Sequence, residues 1–455
     1  MGKHFIEQIV KDEFCIGCGF CSIICKNKAI KIVYDKKYDG FIPKVVKDCD
    51  CEGENNCANF CPGNNLDLLS LVKDKFGEIP RDYLISNYES IHIGYSKIEK
   101  YRQNSSSGGL VPTILNYLFK SEKINGAYCV IPSNTSPYET SGAIIESIEE
   151  IDSIHGSVYH PVNFGKGLND LLTFNGKFAF VGLPCQIEAF EKLKNKNLDI
   201  KERHYISIGL FCGGINKYEA FRYYLKSFGK NFDTIDSINF RHGQWPGNIK
   251  IRTNGEVNYF PRGFGNTRKG ILRYAASVDG YFMMKRCRLC PDQIADLADI
   301  AVGDPHLPKY KSNRSAGYSL IISRSKTGFE IIKEMKNLDK LHLEKSNRED
   351  IVNSQSSTLN NRRHVNAYLR VSRLFRKSVP NFNLDERIEE NTTKNNYFYA
   401  FRDLLKIYYF QGKFFQRFYL IFQIFDYLTL TINQPKIFFK RLMNISLYLK
   451  KVHKY

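Results

Sequence analysis

The chain has 455 residues, a formal net charge of +19, 43% hydrophobic residues and thirteen cysteines. The apolar fraction excludes a disordered chain, and the length leaves room for roughly two to four domains of about 100–200 residues. The segment Met1 to Phe14 carries Lys3, Glu7, Lys11, Asp12 and Glu13, which is not an export signal, and Ile6 stands where myristoylation at Gly2 needs Ser or Thr. No long run is both uncharged and strongly apolar, so no membrane-spanning helix is expected, and the expected location is the cytoplasm. Cytosolic thiols stay reduced, so this many cysteines point to metal rather than disulfides.

The first cysteine group is Cys15-x2-Cys18-x2-Cys21-x3-Cys25. It has the spacing of the bacterial ferredoxin run, in which the fourth cysteine ligates the other cluster. Gly17 and Gly19 keep the loops short enough for the thiolates to converge. A zinc site would more usually present two close pairs. The second group is Cys49-x-Cys51-x5-Cys57-x3-Cys61-Pro62. The standard exchange gives one 4Fe-4S cluster on Cys15, Cys18, Cys21 and Cys61, and a second on Cys25, Cys49, Cys51 and Cys57. The second has irregular spacing, and Lys26 follows Cys25 where proline is usual, so a degenerate or three-iron centre is the alternative. Between the groups, Ala29–Val33 and Phe41–Val46 alternate like short strands.

The segment Arg102-x2-Ser105-Ser106-Ser107-Gly108-Gly109 precedes a helical apolar pattern at Leu110, Ile114, Leu115, Leu118 and Phe119. Small residues before a helix suit a pyrophosphate, with Arg102 adding charge; an ordinary serine cap is the plainer reading. No GxGxxG follows a strand, which argues against a Rossmann-type dinucleotide domain.

Cys185 follows the apolar run Phe178–Val181, and Cys212 ends the run Tyr205–Phe211. Cys287 and Cys290 form a CxxC loop ahead of the strand-like Ile300–Gly303. Two strand-end thiols and a CxxC loop suffice for one four-ligand site; four buried free cysteines are the alternative. Cys129, inside Ala127–Ile131, reads as core. Asp292, Asp299 and Asp304 near the loop read as caps of backbone amides, with ribityl contacts the alternative. His242 reads as part of a turn holding the only Trp, Trp245, or as a proton carrier. Lys285, Arg286 and Arg288 put positive charge beside the loop, which raises a cluster's potential.

Residues 401–455 hold ten Lys and Arg against Asp403 and Asp426, with fifteen aromatics, and Phe438, Leu442, Ile445 and Leu449 make a helical stripe. Packing on the protein's own body, membrane-surface attachment and a partner-binding helix are the three readings. Peripheral attachment would be to the inner membrane face. Three clusters of about −2 each would bring the balance to about +13. Nucleic acid is not expected as a partner, because no nucleic-acid motif accompanies the charge.

Ser105–Gly109, Gly182-Leu-Pro-Cys185-Gln, Leu210-Phe-Cys212-Gly-Gly, and Cys287-x2-Cys290-Pro-Asp followed by Ala298-Asp-Ile-Ala-Val-Gly-Asp304 together resemble the beta-subunit family of coenzyme F-420 hydrogenases and dehydrogenases. The resemblance covers roughly 88–385, and Val158 departs from it where the family carries a basic residue. It implies FAD together with a 4Fe-4S cluster on Cys185, Cys212, Cys287 and Cys290, making up to three clusters in all. It also implies electron passage between ferredoxin-type clusters and FAD, with hydride exchange to an organic substrate or deazaflavin coenzyme. The substrate stays open, because the family includes a chlorophyll-reducing branch and members encoded with glycan-assembly enzymes. A low-potential donor or acceptor such as ferredoxin would be the protein partner. A non-catalytic subunit feeding a separate enzyme is the alternative.

The expected architecture is α/β: an α+β ferredoxin-like module at 1–80, an α/β flavin and iron–sulfur domain at 81–385, and a basic aromatic helical tail at 386–455.

Overall fold

The computed structural model describes residues 5–47, 56–154, 156–226, 228–261, 282–311 and 316–409. Cys49 and Cys51, and the apolar stripe from Phe438 to Leu449, lie outside the described residues.

The two alternating segments near the N-terminus form an antiparallel hairpin, β1 (Ile30–Asp35) and β2 (Gly40–Val45), with Ile30 opposite Val45. Helix α1 (Leu68–Phe76) starts where the Asp67 carboxylate accepts from the Ser70 N–H at 3.0 Å and ends at Gly77, whose φ of 80° returns its N–H to the Lys73 carbonyl.

Among the described residues, the main sheet has eight strands. In chain order they are β3 (Ser90–Ser96), β4 (Gly126–Ile131), β5 (Ser141–Ile145), β6 (Phe178–Gly182), β7 (His204–Leu210), β8 (Ile300–Gly303), β9 (Ser319–Ser323) and β10 (Leu341–Lys345). In space the order is β10-β3-β9-β8-β7-β6-β4-β5. The pairs β8–β7, β7–β6 and β6–β4 are parallel, and the remaining pairs are antiparallel. The parallel centre explains why Phe178–Val181 reads as an unbroken apolar run and why Ser207, between Ile206 and Ile208, is itself buried, since such strands are covered on both faces. Helices α2 (Leu110–Lys120) and α3 (Pro184–Lys194) flank the sheet. A separate three-stranded antiparallel sheet runs over Ser237–His242, Asn248–Thr253 and Glu256–Pro261.

The cysteine-rich module shares a core with this sheet. Phe20 is fully buried, with ring centroids 6.3 Å from Phe60, 6.4 Å from Phe164 and 6.4 Å from Phe180. Gly19, at φ 80°, lies against Gly165 so closely that a Cβ would stand 2.3 Å from its Cα, so a side chain here would part the module from the sheet. Residues late in the chain close the module's other side. Helices α4 (Ser356–Leu374) and α5 (Lys394–Tyr409) pack Val365, Tyr368, Leu369 and Ala400 in one cluster with Ile6, Ile9, Cys25 and Cys61. The strand Asn381–Asn383 pairs in parallel with Asn65–Asp67. Among the described residues, no helix is long and apolar enough to cross a membrane.

His160 is buried in this frame, stacked on Tyr218 at 5.1 Å, with Nδ1 2.8 Å from the Pro161 carbonyl oxygen. Burial lowers its pKa to about 4, against the pull of that carbonyl. The unfolded chain therefore takes up a proton below about pH 6.5 that the folded chain refuses, and stability falls from there down to about pH 4. Between pH 7 and pH 5 this group alone costs about 2 kcal/mol. Urea unfolding of His160→Phe at both pH values is expected to show a loss smaller by that amount. An unchanged pH dependence would rule His160 out.

Candidate functional site

The dispersed cysteines meet at the carboxyl edge of the parallel strands, where open α/β sheets bind ligands. Pro184 opens α3 directly after β6, which sets Cys185 in the first helical turn, and the Gln186 side chain closes that turn by accepting from the Leu183 N–H at 2.7 Å. Cys212 follows β7, and its N–H donates to the Gln293 carbonyl at 2.9 Å. Cys287 and Cys290 lie on and just after the short helix Lys285–Arg288. All four line one recess, with Ile16, Arg286 and Asp292 among its other walls and about 370 Å³ of empty space, part of it open to solvent.

The donor chemistry of this recess fits an iron–sulfur cluster. Backbone N–H groups of Gly214 and Ile215 donate to the sulfurs of Cys212 and Cys287, each at 3.4 Å, as thiolate ligands require. Burial pushes the thiols up, Cys212 to about 12, with Cys185, Cys287 and Cys290 moved the same way. Arg286 opposes this at Cys287 and Cys290. Its guanidinium is buried, donates to the Pro62 carbonyl at 3.0 Å and lies 4.0 Å from Glu188. Among the described residues, no three His, Cys, Asp or Glu side chains are set to hold a single metal ion. The four thiols ring a space, which is what a multi-atom cluster needs.

In the N-terminal group Cys15, Cys18 and Cys61 are buried and Cys21 is half-buried. Desolvation raises Cys15 to about 12 and also raises Cys18 and Cys21, and the charge of Cys61 acts on all three. These are the four residues that the ferredoxin exchange groups together. Gly17 N–H donates to Cys15 Sγ at 3.5 Å. Of the second predicted set, Cys25 accepts from the Ala29 N–H at 3.3 Å, and Cys57 lies close enough to act electrostatically on Cys21. Cys129 is 2% exposed inside β4, packed with Ala127 and Ile145.

The serine loop reaches the same edge of the sheet, because β3 runs in the same direction as β8. Its residues are tied to the protein more closely than the sequence suggests. Arg102 donates to the carbonyls of Gly317 and Ala316 and stacks 3.9 Å from the Tyr95 ring, so it braces the loop. Ser107 donates to the Tyr318 carbonyl, and the Gly108 N–H donates to Ser319 Oγ at 2.9 Å. Ser105 is half-buried beside them, at the end of the short helix Glu99–Asn104. Gly109 caps α2 at φ 76°, with the Tyr101 carbonyl 2.6 Å from where a Cβ would sit. Ser106 Oγ is buried without a hydrogen-bond partner among the described residues.

A run of contacts joins this loop to the cysteines. Phe211 packs on Gly303, the next residue Asp304 accepts from Trp245 Nε1 at 3.0 Å and pairs with Arg241 at 2.6 Å, and Trp245 abuts Gly317 and with it Ser107. Arg241 is buried, and its Nε has no hydrogen-bond partner among the described residues. The two orphaned donors, on Ser106 and Arg241, fit a polar ligand along this edge. Sequence reasoning misses Arg241 and takes Trp245 only as part of a turn; the Phe-Arg-His-Gly-Gln-Trp run is the available signal. His242 itself lies against Tyr259 on the three-stranded sheet, where burial lowers its pKa. Asp292 caps the N–H groups of Ile294 and Asp296, and Asp299 accepts from the Ser207 N–H, as the capping reading has it, whereas the Asp304 carboxylate meets the side chains of Trp245 and Arg241 instead.

Residues 175–349 match the C-terminal model, and residues 91–169 the N-terminal model, of the coenzyme F420 hydrogenase/dehydrogenase beta subunit. The chain is 25% identical over 362 residues to a coenzyme F420-dependent sulfite reductase of Methanocaldococcus jannaschii, covering 74% of this chain and 49% of that protein. It thus spans about half the length of that relative. It is 20% identical over 258 residues to the coenzyme F420 hydrogenase subunit beta of Methanothermobacter thermautotrophicus, covering 55% of this chain and 82% of that one. A chain of the F420-reducing [NiFe] hydrogenase complex from Methanosarcina barkeri shares the fold at TM-score 0.51 and 16% identity, over 66% of this chain and 98% of its own. The chain belongs to the coenzyme F420 hydrogenase/dehydrogenase beta subunit family.

Proposed function

We propose that this chain is an iron–sulfur flavoprotein oxidoreductase that passes electrons between ferredoxin-type clusters and FAD, with an organic substrate or deazaflavin coenzyme as the hydride partner. Cys15, Cys18, Cys21 and Cys61 would hold one 4Fe-4S cluster; Cys25, Cys49, Cys51 and Cys57 a second; Cys185, Cys212, Cys287 and Cys290 a third. FAD would lie along the edge from Ser106 to Arg241. Bound there, these groups supply one-electron transfer and its conversion to two-electron chemistry. The protein's own part is positional. Gly214 and Ile215 N–H groups and Arg286 hold negative charge on sulfur, Ile16 and Pro184 give the recess apolar walls, and the Asp304 carboxylate orients Arg241 and Trp245. The supporting observation is the convergence of four thiols from three separate segments on one recess at the strand ends.

Module 1–80, the 81–385 domain and the region from 386 onward are proposed as the functional units. A low-potential protein such as ferredoxin is proposed as the electron partner, with the cytoplasm as the location. A second reading, an electron-transfer subunit without turnover of its own, has in its favour that the solved relative is a chain of a hydrogenase complex. Anaerobic purification with iron, sulfide and flavin analysis is expected to give about twelve iron atoms and one FAD per chain. Absence of flavin, or iron for only one cluster, would overturn the reading. Optical reduction by candidate carriers separates the catalytic reading from the subunit one.

A further inference from the structure

We propose that the face formed by the end of α4 and the first half of α5 docks on an anionic lipid surface. Leu374 is 80% exposed, Phe398 52%, Phe375 44% and Phe401 42%. The rings of Phe375 and Phe401 lie 5.8 Å apart, so the apolar atoms of the two helices join into one patch. Arg373, Arg376 and Lys394 are exposed on the same two helix ends, and none forms an ion pair among the described residues. The Glu389 carboxylate, from the intervening segment, pairs with Arg370.

Charge decides between occupants. The chain continues beyond Tyr409 for 46 residues with eight Lys and Arg against Asp426 alone, a net of +7. Seating that segment on the patch would bring like charges together, whereas both are complementary to one anionic partner. Protruding Leu and Phe side chains set among exposed cations match an interface of acyl chains and acidic headgroups, in which the apolar groups insert and the cations meet phosphate. The face lies over the module that carries Cys25 and Cys61, since α4 and α5 pack on that core. The proposal does not depend on the redox reading.

Flotation of full-length, cofactor-loaded protein tests it, using phosphatidylcholine vesicles with and without about one part in three of phosphatidylglycerol. The protein is expected to float with the anionic vesicles at low salt, with much less binding at high salt and little to pure phosphatidylcholine. Leu374→Asp with Phe398→Asp is expected to weaken anionic binding by about tenfold or more. Arg373→Glu with Arg376→Glu is expected to weaken it and to flatten its salt dependence. Unchanged melting temperature and iron content establish that these surface variants fold. Equal flotation of the Leu374/Phe398 variant overturns the proposal and assigns binding to residues after Tyr409. Equal binding to both lipids, or none to either, also overturns it. So does capture by an acidic protein without flotation, which would make the face a protein interface.

Discussion

Replacing Cys212 and Cys287 together by serine is expected to lower bound iron by about four atoms per chain, and to leave the rest in place. The two residues come from different segments, the end of β7 and the helix Lys285–Arg288, yet their sulfurs border the same recess and each accepts a backbone N–H. Serine keeps the shape but is a poor ligand for iron that otherwise sits on sulfur. Four half-buried thiols around one recess gain little as free side chains: desolvation pushes every one of them up, so without metal they are neutral, weakly bonded groups around a gap. With metal, the desolvated site becomes a strong binder, and the binding free energy adds to folding. The variant is therefore also expected to melt at a lower temperature than wild type when both are loaded. Cys129→Ser is the control, because that thiol lies in the β4 core away from the recess. It is expected to cost stability without loss of iron. Equal iron in the double variant and wild type would mean that the four cysteines are core and nothing more. Circular dichroism separates loss of iron from loss of fold.

The difference between what the sequence announces and what it hides follows from how each signal is encoded. The first cysteine run is local, so the grouping of Cys15, Cys18 and Cys21 is readable from spacing, and Cys61 follows from the ferredoxin exchange. The parallel strands β4, β6 and β8 are readable because burial on both faces writes a largely apolar run, and β7 is readable from the apolar residues around its buried Ser207. Strands β3, β9 and β10 are not, because they join the sheet antiparallel at one side and depend on partners far away in sequence. Arg102 shows the limit most plainly. Its position before the serines suggests an anion ligand, but the carbonyls of Ala316 and Gly317, more than 200 residues later, take two of its donors. Sequence separation also conceals the link between Asp304 and Arg241, and the return of α4 and α5 onto the N-terminal module. A boundary drawn near residue 385 by composition cuts across that packing, since Tyr368 and Ala400 share one cluster.

The largest expected loss of stability comes from Lys75→Met. Lys75 extends from α1 in the cysteine module to two carboxylates of the sheet domain, Glu191 at 2.8 Å and Asp299 at 3.2 Å, with all three side chains no more than 11% exposed. Glu191 lies on α3, the helix that carries Cys185 in its first turn, and Asp299 leads into β8, so this one ammonium ties the module to the elements that bear the recess. Methionine fills a similar volume but leaves two carboxylates buried with only Lys194 beside Glu191. Removing one partner of such a group costs about 3–5 kcal/mol, because the remaining charge is uncompensated. Replacing all three members, as Lys75→Met with Glu191→Gln and Asp299→Asn, is expected to recover most of that loss, since no charge is then stranded; the amide introduced by Asp299→Asn retains an oxygen for the Ser207 N–H. The pH dependence has a definite sign. Although burial works in the opposite direction, Lys75 leads the interactions that bring Asp299 down to about 2. Its contribution is complete above the unfolded value of about 3.9 and is lost as pH falls through about 2. The gap between wild type and Lys75→Met, read from urea unfolding, is therefore expected to be full at pH 7 and to narrow below about pH 4. A gap that is constant with pH would mean that Lys75 acts through its aliphatic stem alone. A triple variant as unstable as the single one would mean that the network is favourable in itself, and that the module is held to the sheet by charge rather than by the shared core around Phe20.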